Sequence, residues 1–309
     1  MQLQRTLRKP VHAVGIGVHN GKKVSMTLRP APVGTGIVFV RTDLDQPVRI
    51  PCLADQVADT MLCTTIASAD VRVSTVEHLM SAFWGLGIDN ALVELDGEEV
   101  PILDGSSAPF IYLIKSAGIE EQSEPKAFIR IKKKVEVRQG DAIARLSPYR
   151  GFKAAYTFVA EHPVYNQYPK SAEIDFGKIS YEEEVSRARS FGLVKELEQA
   201  QALDKCLGSG LDNAVGIGDE GVLNPDGLRY HDEFVKHKIL DAIGDLYLLG
   251  RPIIGAFYGY KSGHGLNNQL ARAVLAEQGS WELVSASKDP LAARPRSRPI
   301  LQPLGVQTA

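Results

Sequence analysis

At 309 residues the chain exceeds the usual size of a single domain, so two domains with real cores are the default. Its apolar content of 44%, charged content of 23% and net charge of -2 are ordinary for a soluble globular protein and give no whole-chain reason to expect nucleic-acid binding. No stretch approaches the roughly 20 continuous apolar residues of a membrane span and the start lacks a signal-peptide core, so a cytoplasmic chain without membrane insertion is expected.

Residues 1–50 read as strands and turns, with KVSMTLRP and GIVFVRTDL alternating apolar and polar side chains. The loop GIGVHNG sets His19 between glycines, a pattern that usually marks a hairpin turn. In VSTVEHLMSAFWGLGIDNALVEL, Ser74 followed by Glu77 reads as a capping box, and Val76, Leu79, Met80 and Phe83 form a buried stripe. His78 projects away from that stripe, and an apolar strand follows the glycines.

The polar run EEQSEPK, residues 120–126, is the candidate linker. FIRIKKKVEVRQGD resumes strand alternation, with Lys132, Lys133 and Lys134 as a solvated edge. ISYEEEVSRARSFGLVKELEQAQALD is helical in pattern, interrupted at Ser190, Phe191 and Gly192, and KCLGSGLDNAVGIGDEGVLN suits a short strand or a flap. RPIIGAFYGYKSGHGLNNQLARAVLAEQ reads as a strand, a glycine-flanked loop bearing His264, and a helix from about Leu266. The Pro- and Arg-containing tail, residues 285–309, is expected to be disordered.

Between these lies HDEFVKHKILDAIGDLYLLG, residues 231–250. On a helix, His237, Asp241 and Asp245 share one face, because four residues advance about one turn. An imidazole and a carboxylate one turn apart can reach one cation. Alone, the same stretch reads more readily as a solvated, salt-bridged helix stopped by Gly250. The three cysteines, Cys52, Cys63 and Cys206, are too scattered for a disulfide framework or a Cys-x-x-Cys zinc site, so a metal here must use His and carboxylate.

His78, His237 and Asp241 together make a three-ligand Zn2+ site with a fourth position open. Glu77, beside His78, is placed to be a base that is not a ligand, and His264 an acid or oxyanion partner held by Asp245. Two stretches, HLMSAFWGLGIDNALVEL and HKILDAIGDLYLLGRPIIGAFYG, both run histidine, helix, glycine break and strand. Such a repeat suggests two halves of related α+β construction with the site between them.

STVEHL, GLGIDN, VPILDGSSAPF, RARSFG, VLNPDGLRYHDEFVKHKILDAIGDLYLLG and YKSGHGLNNQL resemble the motifs of the UDP-3-O-acyl-N-acetylglucosamine deacetylase family, zinc enzymes of lipid A biosynthesis. The likeness runs from about Arg5 to about Trp281. It implies an α+β fold of two similar domains, each a sheet layered with helices, with the metal at their junction: residues 1–122, and 127–284 with an inserted segment at about 193–217. It implies ligands His78, His237 and Asp241, base Glu77, acid His264 and support from Asp245. Substrate contacts are implied for Lys238, Ser190, Phe191, Leu62 and Cys63, and an acyl passage for Leu193, Leu197, Leu203, Cys206, Leu207, Leu211 and Val215. The implied reaction removes the N-acetyl group of an acylated UDP-amino sugar. That substrate is the expected partner of a monomeric chain, with no nucleic acid.

The chain departs from the family pattern in three places. Ser190 and Leu193 stand in a motif that often reads RTFGF, Ala142 stands where a lysine on the diphosphate side is common, and the passage segment is rich in glycine. A zinc amidohydrolase for another N-acyl compound, or a noncatalytic module with a structural zinc, are the competing expectations.

Overall fold

Alternation in Val11–Ile16 and Lys23–Pro30 builds a sheet, whereas Ile37–Arg41, expected to alternate, is buried at all five positions because it lies inside that sheet. In the computed structural model, which describes residues 2–286, five strands lie in the spatial order Val11–Ile16, Lys23–Pro30, Ala91–Leu95, Ile37–Arg41, Val48–Pro51. Successive pairs are antiparallel, antiparallel, parallel and antiparallel. The second half repeats this order and these directions with Val135–Gln139, Ala142–Ser147, Ile253–Tyr260, Phe152–Thr157 and Ser171–Asp175. Strands Ala127–Ile131 and Trp281–Ser285 extend the second sheet.

Six helices complete the described residues: α1 (Glu77–Leu86), α2 (Ala108–Ala117), α3 (Tyr181–Glu184), α4 (Val194–Gln201), α5 (Glu233–Tyr247) and α6 (His264–Ala276). Each half therefore runs four strands, an insertion, a helix, the central strand and a second helix. The first insertion is the small sheet of Val57–Asp59, Thr65–Ser68 and Val71–Val73; the second holds α3, α4 and the parallel pair Phe191–Leu193 and Val215–Ile217. The two stretches that look alike in sequence, α1 with its strand and α5 with its strand, are the visible part of this repeat.

α1 and α5 cross at the centre. A Cβ on Gly244 of α5 would lie 2.0 Å from the Glu77 carbonyl oxygen, so only glycine permits this approach. The main apolar core passes around the crossing, from Phe39 through Leu79, Phe83, Ile239 and Ile243 to Leu270. Full burial of one such side chain stabilises by about 1.5–3 kcal/mol.

Three expectations need correction. α5 is not a solvated helix: every residue from Glu233 to Tyr247 is buried except Lys238. Its charges survive burial because each has a fixed partner, as with Glu233 and Arg189 at 2.8 Å, or Lys236 and Glu184 at 3.0 Å. Secondly, most of residues 120–126 belongs to the strand Ile119–Pro125, paired antiparallel with Leu3–Leu7. A two-stranded ribbon with mostly exposed side chains leaves no apolar alternation to read. Thirdly, α6 begins at His264 itself. Of the tail, Ser285 closes a strand and residues 287–309 lie outside the described residues.

Candidate active site and metal centre

The predicted capping box is absent. Ser74 Oγ accepts from the Thr65 hydroxyl at 2.9 Å, and α1 starts at Glu77 after Val76 with no side-chain cap. Thr75 reverses the chain at φ +59°, a conformation that costs a β-branched residue about 1–3 kcal/mol and is held here by its hydroxyl bond to Glu99 at 3.0 Å. This turn sends Glu77 inward. Its Oε2 accepts the Thr64 N–H at 3.1 Å instead of capping its own helix.

His78 on α1 meets His237 and Asp241 on α5. One ligand atom from each lies within 4.8 Å of the others, and all three residues are buried. His78 Nε2 and His237 Nε2 stand 3.4 and 3.3 Å from Asp241 Oδ1. That oxygen has no hydrogen-bond partner, although its companion Oδ2 takes the Lys238 ammonium at 2.8 Å. A buried carboxylate oxygen that faces two imidazole nitrogens and accepts no hydrogen bond is costly unless a cation sits among them, so the residues fit a metal.

Protonation favours the same use. Burial, partly offset by Asp241, pushes His237 down to about 3, which leaves a neutral imidazole. Its Nδ1 lies 3.0 Å from the Ala188 carbonyl, so Nδ1–H donates there and the Nε2 lone pair faces the cluster. Burial alone would raise Asp241, but His237 and Lys238 hold it well below the usual carboxylate range. A neutral imidazole and an ionised carboxylate thus converge with His78.

The second corner of the site surrounds Asp245, one turn along α5. Its Oδ2 lies 3.0 Å from His264 Nδ1 and accepts Asn267 Nδ2 at 2.9 Å, while Oδ1 accepts the Thr64 hydroxyl at 2.6 Å. Burial opposes charge on His264, yet Asp245 and Glu77 outweigh it and push the imidazole up to about 10. His264 Nε2 then faces Glu77 Oε1 at 3.8 Å. Burial pushes Glu77 up, against the opposing pull of His264 and His78. A buried carboxylate and an imidazolium thus stand side by side next to the candidate metal ligands.

Of the expected substrate contacts, Lys238 and Phe191 border the cluster. The Lys238 ammonium lies 5.7 Å from the centre of the Phe191 ring, and that ring 5.9 Å from His237. Ser190 donates its hydroxyl proton to the Asn213 carbonyl at 2.8 Å, so in this conformation it keeps no donor for an oxyanion. Cys63 is buried, and burial first, with Glu77 second, pushes its thiol up to about 12. Leu62 is exposed at φ +67° on the same loop.

In the segment expected to form the passage, α4 buries no residue and Leu203 is 73% exposed. Leu207 and Leu211 are exposed, Leu193, Leu197 and Cys206 half-buried, and Val215 buried. Ala142 opens a strand beside Asp141, which is ion-paired with Lys261.

Sequence reasoning passed over Thr64, Asn267 and the Ala188 carbonyl. Thr64 and the carbonyl sit on irregular segments that no periodicity singles out. Asn267 could have been found, since i, i+3 spacing places it one turn after His264.

Residues 4–276 match the family described as UDP-3-O-acyl N-acetylglycosamine deacetylase. The chain is 55% identical over 286 residues to the UDP-3-O-acyl-N-acetylglucosamine deacetylase of Chromohalobacter salexigens, covering 93% of this chain and 94% of the relative. Proteins of that description from Thioalkalivibrio sulfidiphilus, at 54% over 91% and 93%, and from Teredinibacter turnerae, at 53% over 96% and 98%, are similar over almost their whole lengths.

Proposed function

The chain belongs to the UDP-3-O-acyl-N-acetylglucosamine deacetylase family, and from that premise we propose that it hydrolyses the N-acetyl group of UDP-3-O-(hydroxyacyl)-N-acetylglucosamine, with zinc, in the cytoplasm. The reaction is an early step of lipid A biosynthesis. The single observation that carries the reading is the unpartnered Asp241 oxygen between two imidazole nitrogens, with Glu77 and His264 beside it. No helix among the described residues is long and apolar enough to cross a membrane.

His78, His237 and Asp241 would hold the ion. Zinc bound there supplies Lewis acidity towards a carbonyl oxygen and lowers the pKa of water. Glu77, whose proton affinity burial has raised, takes a proton from the attacking water as its oxygen bonds to the acetyl carbon. His264, cationic at neutral pH, gives its Nε2 proton to the sugar nitrogen as the C–N bond breaks. Acetate and a free 2-amino group result. Asp245 holds the His264 ring in the orientation that keeps Nε2 towards Glu77. Lys238, Phe191, Leu62 and Cys63 border the space for the sugar, and the exposed leucines of residues 193–217 suit an acyl chain.

Metal analysis coupled to acetate release from the acylated UDP-sugar tests the reading. The expected outcome is one zinc per chain and turnover that depends on it. Equal rates on acylated and non-acylated UDP-N-acetylglucosamine would remove the acyl chain from recognition and leave a more general amidohydrolase.

A further inference from the structure

Glu77 and Asp245 stand on helices from opposite halves of the chain, and Thr64 touches both. Its backbone N–H donates to Glu77 Oε2 at 3.1 Å and its hydroxyl to Asp245 Oδ1 at 2.6 Å. Its carbonyl accepts the Val76 N–H at 3.3 Å, immediately before Glu77. Main-chain groups therefore tie Thr64 to the start of α1 on both sides, and the side chain is left to reach α5. The residue is 1% exposed, so water does not compete for either bond.

On the other side of Asp245, Asn267 Nδ2 donates to Oδ2 at 2.9 Å and His264 Nδ1 lies 3.0 Å from the same oxygen. With Thr64 on one oxygen and Asn267 on the other, the carboxylate cannot swing about its bond to Cβ. His264 is then fixed in direction, and its Nε2 meets Glu77 at 3.8 Å. The gap between base and acid is thus closed through one residue of the first insertion. Reaction geometry is sensitive at this scale, since a displacement of about 1 Å can cost on the order of 10²-fold in rate.

We propose that Thr64 is a positioning residue for the reaction: its main-chain N–H holds Glu77 and its hydroxyl holds Asp245, setting the base and the Asp245-oriented His264 at a fixed separation across the junction of the two halves. The inference rests on the deacetylase reading above. A threonine that only satisfied a buried carboxylate would affect stability and leave kcat of the folded, metal-loaded molecules unchanged.

Thr64→Val deletes the hydroxyl at nearly constant shape and Thr64→Ser retains it. Each is assayed as the zinc-loaded full chain for acetate release, beside the wild type. Thr64→Val is expected to lower kcat about 10- to 100-fold with KM within about twofold, at unchanged zinc content, and Thr64→Ser to return to within about threefold of wild type. In an Asp245→Ala background the hydroxyl has nothing left to hold, so Thr64→Val is expected to change kcat by less than about twofold.

Wild-type kcat in Thr64→Val, a serine variant as impaired as the valine one, or an undiminished effect in the Asp245→Ala background overturns the inference. If the valine variant does not fold, Thr64→Ala is read by the same division of kcat from KM. Zinc-loaded wild type that releases no acetate overturns the deacetylase reading and, with it, the role of Thr64 in that reaction, an outcome distinguishable from the others because it is read in the wild type.

Discussion

Asp241 and Asp245 lie one turn apart on α5, both buried, and are used in opposite ways. Asp245 has donors on both oxygens, from Thr64, Asn267 and His264. Asp241 has Lys238 on one oxygen and nothing on the other, which faces His78 and His237. A carboxylate satisfied on all sides can hold a neighbour in place but has no capacity left for a ligand. One left open on one side, between two imidazole nitrogens, has capacity for a cation and little else. Side-chain type and burial are shared, so the difference comes entirely from what the rest of the fold brings to each oxygen.

Substitutions can break this contrast, beginning with the metal corner. His237→Ala is expected to weaken zinc binding by more than about 100-fold, beyond the usual effect of an outer partner. Metal analysis checks it, and a variant that keeps a full equivalent of zinc would take His237 out of the ligand set. Glu77→Ala leaves the partners of Asp241 in place and should retain zinc while kcat falls by about 10²-fold or more; parallel metal and rate measurements decide, and loss of zinc would make Glu77 a ligand.

The acid corner is sharpened by pH. His264 is pushed up to about 10, so its charged form prevails below that pH and is lost as pH rises through it. Activity should therefore decline on the alkaline side, with a bound dication drawing the decline to lower pH. His264→Ala should abolish that limb of the pH-rate profile, and Asp245→Asn should move it to lower pH because the raising charge is gone. An unmoved limb in both variants would place the acid elsewhere.

The smallest expected effect is at the crossing itself. Gly244→Ala forces a Cβ towards the Glu77 carbonyl, at 2.0 Å in the present backbone, and should destabilise by about 1–3 kcal/mol as the helices part. Thermal unfolding measures the loss. An undiminished melting temperature would show that α1 and α5 tolerate separation.

Much of the site was legible because local spacing carries it. His237, Asp241 and Asp245 at one-turn intervals fall on one face of any helix, and the adjacency of Glu77 and His78 needs no tertiary information. Motif resemblance supplied the pairing between these distant segments. What stayed hidden has a consistent cause. Glu77 read as a cap because Ser74 precedes it at the right spacing, whereas Thr75 turns the chain and Thr64 supplies the donor instead. Ser190 is implied as a substrate contact, whereas the Asn213 carbonyl of its own insertion takes its hydroxyl proton.

Sequence by itself determined the residue types and their phase on each helix, the alternation of the strands and the repeat of helix, glycine and strand. Those properties follow from periods of about 3.6 and 2 residues, which the chain expresses locally. Only the tertiary structure decided which groups meet: that α5 is buried along its length, that α1 approaches it closely enough to need Gly244, and that Thr64 reaches one carboxylate from each half. Hydrogen bonds between residues as far apart as Thr64 and Asp245 leave no trace in local spacing, and they are what divides two aspartates of one helix into a candidate metal ligand and a support.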